Sequence, residues 1–166
     1  MNELESRMRR VCEILRNDQV ASLFKFPEEL VATPCDFMGH TRNGRAILIE
    51  CKQVRRPSLP LHDSPGLAPH QNIALREASA CGAFAIVLWQ RHQIITAMRM
   101  ADVLEASKDR QSLPWAAALE HKVLDLGVAV TKDEADLALS HHLQWMLGYS
   151  IVVGRDCSRD PFMPSN

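Results

Sequence analysis

Three residues stand out for the chemistry they could share: Asp36, Glu50 and Lys52. The last two lie in the stretch AILIECKQV, residues 46–54, which begins as an apolar β-strand and then carries a carboxylate and an ammonium two positions apart. Side chains alternate along a strand, so Glu50 and Lys52 share a face with Ala46 and Leu48, while Ile47 and Ile49 anchor the other face. Two carboxylates on neighbouring strands can share a hard divalent cation, and Mg²⁺ takes one or two carboxylates plus waters and a phosphate oxygen. The backbone carbonyl of Cys51 could supply another oxygen. Such an ion polarises a phosphate and makes a bound water more acidic. Lys52 beside it would position that water or stabilise charge developing on the phosphate. Burial and the cation would lower a lysine pKa while the two carboxylates oppose that shift, so a base and an orienting cation are both open to Lys52. An Asp shortly after a Pro commonly serves turn hydrogen bonds, and a Glu-x-Lys pair also occurs on solvated strand faces. The strongly apolar strand and its local context favour chemistry over those readings.

That context is a hairpin. Asn43-Gly44 tolerates φ > 0 at both positions, a strong turn signal, and it pairs an extended segment over 30–38, which carries Asp36, with the strand carrying Glu50. Before it, residues 3–16 form an amphipathic helix with Leu4, Met8, Val11, Ile14 and Leu15 at spacings of three and four, and 20–26 form a strand. Pro34 holds Thr33 away from helical geometry. After it, residues 55–69 read as a loop rich in Pro, Ser and His. A helix runs from about Pro69 to Cys81, with Pro in its first turn and Gly82 as its stop. Residues 83–90 read as a strand apolar on both faces, and 93–98 as another. Residues 100–108, 113–126 and 132–147 read as helices, with Pro114 at an early position of its helix. Helices alternating with strands indicate a mixed sheet flanked by helices, an α/β or α+β layer architecture.

The chain has 166 residues and a net charge of −1, enough for one domain with a real core and too balanced for a uniformly basic surface. Residues 1–60 nevertheless carry an excess of two positive charges and residues 61–166 an excess of three negative ones. If acids of the first half sit on a metal, the remaining surface there is cationic and suited to phosphate. The longest apolar run, Ala83 to Trp89, is too short to cross a bilayer, and the charged start lacks a signal-peptide pattern, so a cytoplasmic protein without a membrane partner is expected. Five cysteines without close pairs suggest no disulfide framework and no zinc site. His141 and His142 are adjacent, which is poor chelating geometry on a helix.

Read in order, CDFMGHTRNGRAILIECKQV and then PGLAPHQNIALREASACGAFAIVLW resemble the PD-(D/E)xK nuclease superfamily and, within it, the RecU-type Holliday junction resolvases. The resemblance rests on Asp36-Phe37-Met38-Gly39, Glu50-Cys51-Lys52, His70-Gln71 opening a helix, and Gly82 before the apolar strand, and covers roughly residues 1–105. It implies a restriction-endonuclease-like mixed β-sheet core, a nuclease core over 1–110. Outside the resemblance, residues 111–150 read as extra C-terminal helices, an extension packed on the core, a dimer interface or a partner contact, and the polar residues 151–166 as a flexible tail. The resemblance also implies that Asp36 and Glu50 ligate Mg²⁺ or Mn²⁺, that Lys52 attends the nucleophilic water, and that Gln71 completes the site. An acid of the first helix joins them, Glu5 first and Glu13 second. His70 is assigned a capping or packing role. The chain departs from the family in two respects: there is no room upstream of Asp36 for a junction-entering stalk, and Cys35 stands where a Thr is usual.

On this reading Arg42, Arg45, Arg55 and Arg56 flank the site as phosphate contacts, with Arg9, Arg10 and Arg16 of the first helix as further candidates. Three Trp, one Tyr and five Phe, mostly in apolar runs, provide no evident base-stacking platform. The expected function is metal-dependent hydrolysis of phosphodiesters in DNA, with branched DNA as substrate, 5′-phosphate products and a homodimer making symmetric cuts. The alternatives are a nuclease for duplex, flap or single-stranded DNA, and a non-catalytic module that binds DNA structures. A Cys/His metal or redox protein is a weaker third reading.

Overall fold

The computed structural model describes residues 2–27, 32–108, 110–128 and 131–149. Helix α1 (Glu3–Asn17) buries Leu4, Met8, Val11, Cys12 and Leu15, and Asn2 caps it by accepting a hydrogen bond from the Glu5 N–H. Three antiparallel strands follow: β1 (Ala21–Lys25), β2 (Phe37–Thr41) and β3 (Ala46–Gln53). The β2–β3 turn lies where Asn43-Gly44 predicts it; Gly44 has φ +79° and its N–H bonds to the Thr41 carbonyl.

A crossover then carries the chain through a short strand β4 (Ser58–Pro60) and helix α2 (Pro69–Ala80) to β5 (Phe84–Arg91), which pairs parallel to β3. The expected stop of α2 is present as Gly82 at φ +86°, a conformation that glycine adopts without penalty. Strand β6 (Ile94–Arg99) runs antiparallel to β5, and α3 (Met100–Ala106) follows at once.

Over 113–126 the expected helix is corrected. The segment divides into β7 (Ser112–Pro114), α4 (Trp115–Leu119) and β8 (Lys122–Asp125). Only the Trp-Ala-Ala-Ala-Leu run is helical; β7 pairs with β4, and β8 adds to β6 as an edge of the main sheet. Helix α5 (Lys132–Met146) then packs against α1. Residues 111–150 are thus not all helical, and their β8 belongs to the central sheet. The expected flexible tail lies outside the described residues.

The six-stranded sheet has the order β1-β2-β3-β5-β6-β8, and the helix-flanked mixed α/β class expected from the sequence is the one observed. Period-two alternation splits its strands between two cores. Ile47, Ile49, Cys51, Ile86 and Leu88 meet α1 and α5 on one face. Leu48, Val54, Val87, Trp89 and Met98 meet α2, α3 and α4 on the other. Among the described residues no helix is long and apolar enough to cross a membrane.

Candidate active site

The site forms where β2 begins late. The register pairs Phe37 with Ile49 as the last couple of the β2–β3 ladder. Beyond it β3 runs on to Gln53, so Glu50, Cys51 and Lys52 project past the end of β2 and are bordered on the other side by β5. Asp36, one residue before β2, fills the vacated position: its Oδ2 accepts a 2.8 Å hydrogen bond from the Cys51 N–H. The N–H and C=O of a residue in an extended strand point to the same side, so the Cys51 carbonyl is directed toward Asp36 as well.

Glu50 and Lys52 turn to the α2 face, where Gln71 meets them. Lys52 Nζ lies 2.7 Å from Glu50 Oε1, and Gln71 Nε2 donates to that same oxygen at 2.8 Å. Gln71 Oε1 accepts from Lys52 Nζ at 3.0 Å and from the Ala68 N–H at 3.1 Å. The amide therefore locks the acid and the ammonium to each other and to the start of α2. Pro69 supplies the helix start and leaves Gln71 two residues inside it, which explains why a glutamine placed there reaches the sheet.

Burial raises the Glu50 carboxyl to about 7 and the Asp36 charge adds to the rise, while Lys52 and, less strongly, the Asp36 N–H oppose it. Asp36 is raised mainly by burial; the Cys51 N–H opposes this, Glu5 adds to it, and Lys52 and Lys25 oppose it. Burial also lifts the Cys35 thiol to about 12, helped by Glu50. Cys35 is buried and donates to the Phe37 carbonyl at 3.2 Å.

Two observations test whether these residues fit a divalent cation. Glu50 Oε2 is buried and has no hydrogen-bond partner, although its other oxygen has two. An unpartnered anionic oxygen inside a protein is costly, and a cation beside it removes that cost. No group of three or more His, Cys, Asp or Glu side chains gathers as a metal cluster among the described residues. Two carboxylates and a carbonyl are a sparse set, suited to Mg²⁺ or Mn²⁺ completed by water and phosphate and poorly suited to zinc.

Glu5 lies close enough to act on the Asp36 charge, but its own carboxylate is engaged: Oε2 lies 2.7 Å from Lys25 Nζ and Oε1 accepts from Asn2 Nδ2 at 2.7 Å. Glu13, two turns further along α1, is exposed and separate from this group. Lys25 was not singled out by sequence reasoning. Its signal is the one that marks Glu50: Ala21, Leu23 and Lys25 share a strand face, and the charge ends an otherwise buried apolar series.

The arginines divide. Arg55 and Arg56 are exposed just past the end of β3, near Lys52. The expectation that Arg42 and Arg45 flank the carboxylates is corrected. They sit at the β2–β3 turn, and five residues of extended chain separate Arg45 from Glu50, roughly 17 Å. Arg45 instead stacks on Phe84, 3.6 Å from the ring centre. Arg10 is held by Asp136 of α5 and by the Ser6 carbonyl at 3.0 Å, together with Arg7, which also pairs with Asp136. Its role is to join α1 to α5. Arg9 is exposed, and Arg16 donates to the Leu23 carbonyl at 3.3 Å. His70 is exposed in the first turn of α2.

No family model and no curated protein matches the chain. Among solved structures it is similar to Hjc, a Holliday junction resolvase of the archaeal hyperthermophile Archaeoglobus fulgidus, at 15% identity and a TM-score of 0.48, over 75% of this chain and 98% of that one.

Proposed function

We propose that the protein is a metal-dependent DNA endonuclease whose preferred substrate is branched DNA. The observation that carries the hydrolytic part is the convergence of Asp36, Glu50, Lys52 and Gln71 around a buried carboxylate oxygen without a partner. A bound Mg²⁺ or Mn²⁺ would supply Lewis acidity to a phosphate oxygen and raise the acidity of an attacking water. Asp36, Glu50 Oε2 and the Cys51 carbonyl would hold it. Lys52 carries three donors, of which Glu50 and Gln71 engage two. The third is available to orient the water or to meet negative charge on the phosphate. Gln71 keeps Lys52 and Glu50 in register, so the ammonium does not swing away when the carboxylate turns to the ion. Arg55 and Arg56, exposed just past the end of β3, would serve as phosphate contacts, which favours backbone over base recognition.

The branched-DNA part rests on the order of sequence motifs, with the junction-entering stalk lacking. A homodimer would follow from the need for two symmetric cuts. The test is a labelled panel of four-way junction, flap, linear duplex and single-stranded DNA, each incubated with Mg²⁺ or Mn²⁺. The junction should be cut fastest, leaving 5′ phosphates, and Asp36→Asn and Lys52→Ala should abolish cleavage while binding persists. Equal cleavage of duplex and junction would leave a nuclease and remove the junction preference. Binding without cleavage of any substrate would make the protein a non-catalytic DNA-binding module.

A further inference from the structure

Just past the end of β3 the chain forms a short strap, residues 54–57, that carries Arg55 and Arg56 to the start of β4. Three of its four carbonyls are held, each by a different donor. The Val54 carbonyl accepts from the Trp89 indole N–H at 2.9 Å. The Arg55 carbonyl accepts from Arg91 Nε at 3.1 Å. The Pro57 carbonyl accepts from the Trp115 backbone N–H at 2.8 Å. The three donor residues form one unit. The Trp89 and Trp115 rings meet edge to face with centres 4.7 Å apart, and the Arg91 guanidinium lies 5.4 Å from the Trp115 ring centre, within range of its π face. Trp89 is buried and is the register partner of Lys52 across β3 and β5, so the unit is anchored beside the candidate site. In a trans peptide the N–H points opposite to the preceding carbonyl, so the N–H groups of Arg55 and Arg56 face away from Trp89 and Arg91. Neither has a hydrogen-bond partner among the described residues. The strap thus turns its acceptors inward and offers donors outward, two N–H groups and two exposed guanidinium side chains, a polarity that suits a phosphate.

We propose that Arg91 is a positioning residue for DNA. Seated on Trp115 and bonded to the Arg55 carbonyl, it holds the strap in the form in which Arg55, Arg56 and their N–H groups take a backbone phosphate neighbouring the one at Lys52. A free loop would lose conformational entropy when it closed on the phosphate, and the clamp removes that loss in advance. Lysine could supply the charge of Arg91, but not the planar fork that stacks on a ring and donates at the same time. The inference rests on the DNA reading given above and adds to it the groups that fix its phosphate contacts.

Fluorescence anisotropy of labelled duplex and four-way-junction DNA, in EDTA, tests this without cleavage. Arg91→Ala should weaken binding on the order of fivefold in the wild type, but less than about twofold where Arg55 and Arg56 are already alanine. Arg91→Lys should restore little of the loss. Trp115→Leu removes no charge and should still weaken binding several-fold, because the guanidinium loses its seat; Trp115→Met replaces it if the leucine variant does not fold, and Arg91→Gln likewise replaces Arg91→Ala. Equal losses from Arg91→Ala in the two backgrounds overturn the proposal, since Arg91 would then meet DNA on its own. Full rescue by Arg91→Lys overturns it in favour of plain charge. Failure of the wild type to bind either DNA overturns the DNA reading itself, whereas normal binding unmoved by Arg91→Ala overturns only the role of Arg91.

Discussion

Replacing Glu50 by glutamine should stabilise the metal-free protein at pH 8 and leave it little changed at pH 5. The side chain is fully buried, and its carboxyl is lifted from an ordinary 4.5 to about 7 by burial and by Asp36. Below 4.5 the group is protonated in both folded and unfolded chains and carries no penalty. Between 4.5 and about 7 the unfolded chain ionises while the folded chain keeps its proton, so stability falls as pH rises. Above about 7 the loss is complete and amounts to roughly 3 kcal/mol, at about 1.4 kcal/mol per tenfold change in ionisation. At pH 5 it is still below about 1 kcal/mol. Glutamine removes the charge and keeps an acceptor where Lys52 and Gln71 meet Oε1, at the cost of an anionic partner for Lys52. The expected gain is therefore about 1–3 kcal/mol at pH 8 in EDTA, read from urea unfolding with unchanged m-value. Mg²⁺ should then stabilise the wild type and not the variant, because an ion that binds only the folded state adds its binding free energy. A variant less stable than the wild type at pH 8 in EDTA, or one offset equally at pH 5 and pH 8, would refute the electrostatic account of the site.

Three further outcomes probe the scaffold and its surface. Gly39→Ala places a Cβ 1.8 Å from the Ser22 carbonyl oxygen on β1; thermal unfolding should show a loss of roughly 3 kcal/mol or more, and a neutral substitution would show that β1 does not pack there. Asp136→Ala strips the counter-charge from Arg7, which is buried, and from Arg10, and should cost about 3–5 kcal/mol in urea; replacing Arg7 by Met as well should recover part of it. Arg55→Ala and Arg56→Ala should each lower the slope of log K against log salt for DNA binding by about one, whereas an unchanged slope would remove these residues from the interface.

The candidate site was legible in the sequence because its signals are local. Alternation alone places Glu50 and Lys52 on one face, and Asn43-Gly44 fixes the hairpin that brings Asp36 across. Pro69 and Gly82 bracket the helix that delivers Gln71. What stayed hidden depends on contacts between distant residues. Leu119, Val123 and Leu126 recur at helical spacings of four and three, yet Val123 lies in a strand because β6 offers an open edge for pairing. The three-residue bridge of β4 with β7 is likewise set by tertiary context. The turn that brings Asp36 near Glu50 also carries Arg42 and Arg45 to the opposite end of the strands, a consequence of antiparallel geometry that proximity in sequence conceals. Lys25 reads as one charge in a short strand until Glu5, twenty residues earlier, is seen beside it. Arg7 and Arg10 share one partner, Asp136, more than a hundred residues further along the chain.

Calorimetric titration of the protein with Mn²⁺ probes the proposed ion site itself. Saturable binding at a single site of Asp36 and Glu50 is expected, lost in Asp36→Asn and in Glu50→Gln while both variants stay folded. Binding that survives both substitutions, or none in the wild type at millimolar Mn²⁺, would contradict that assignment.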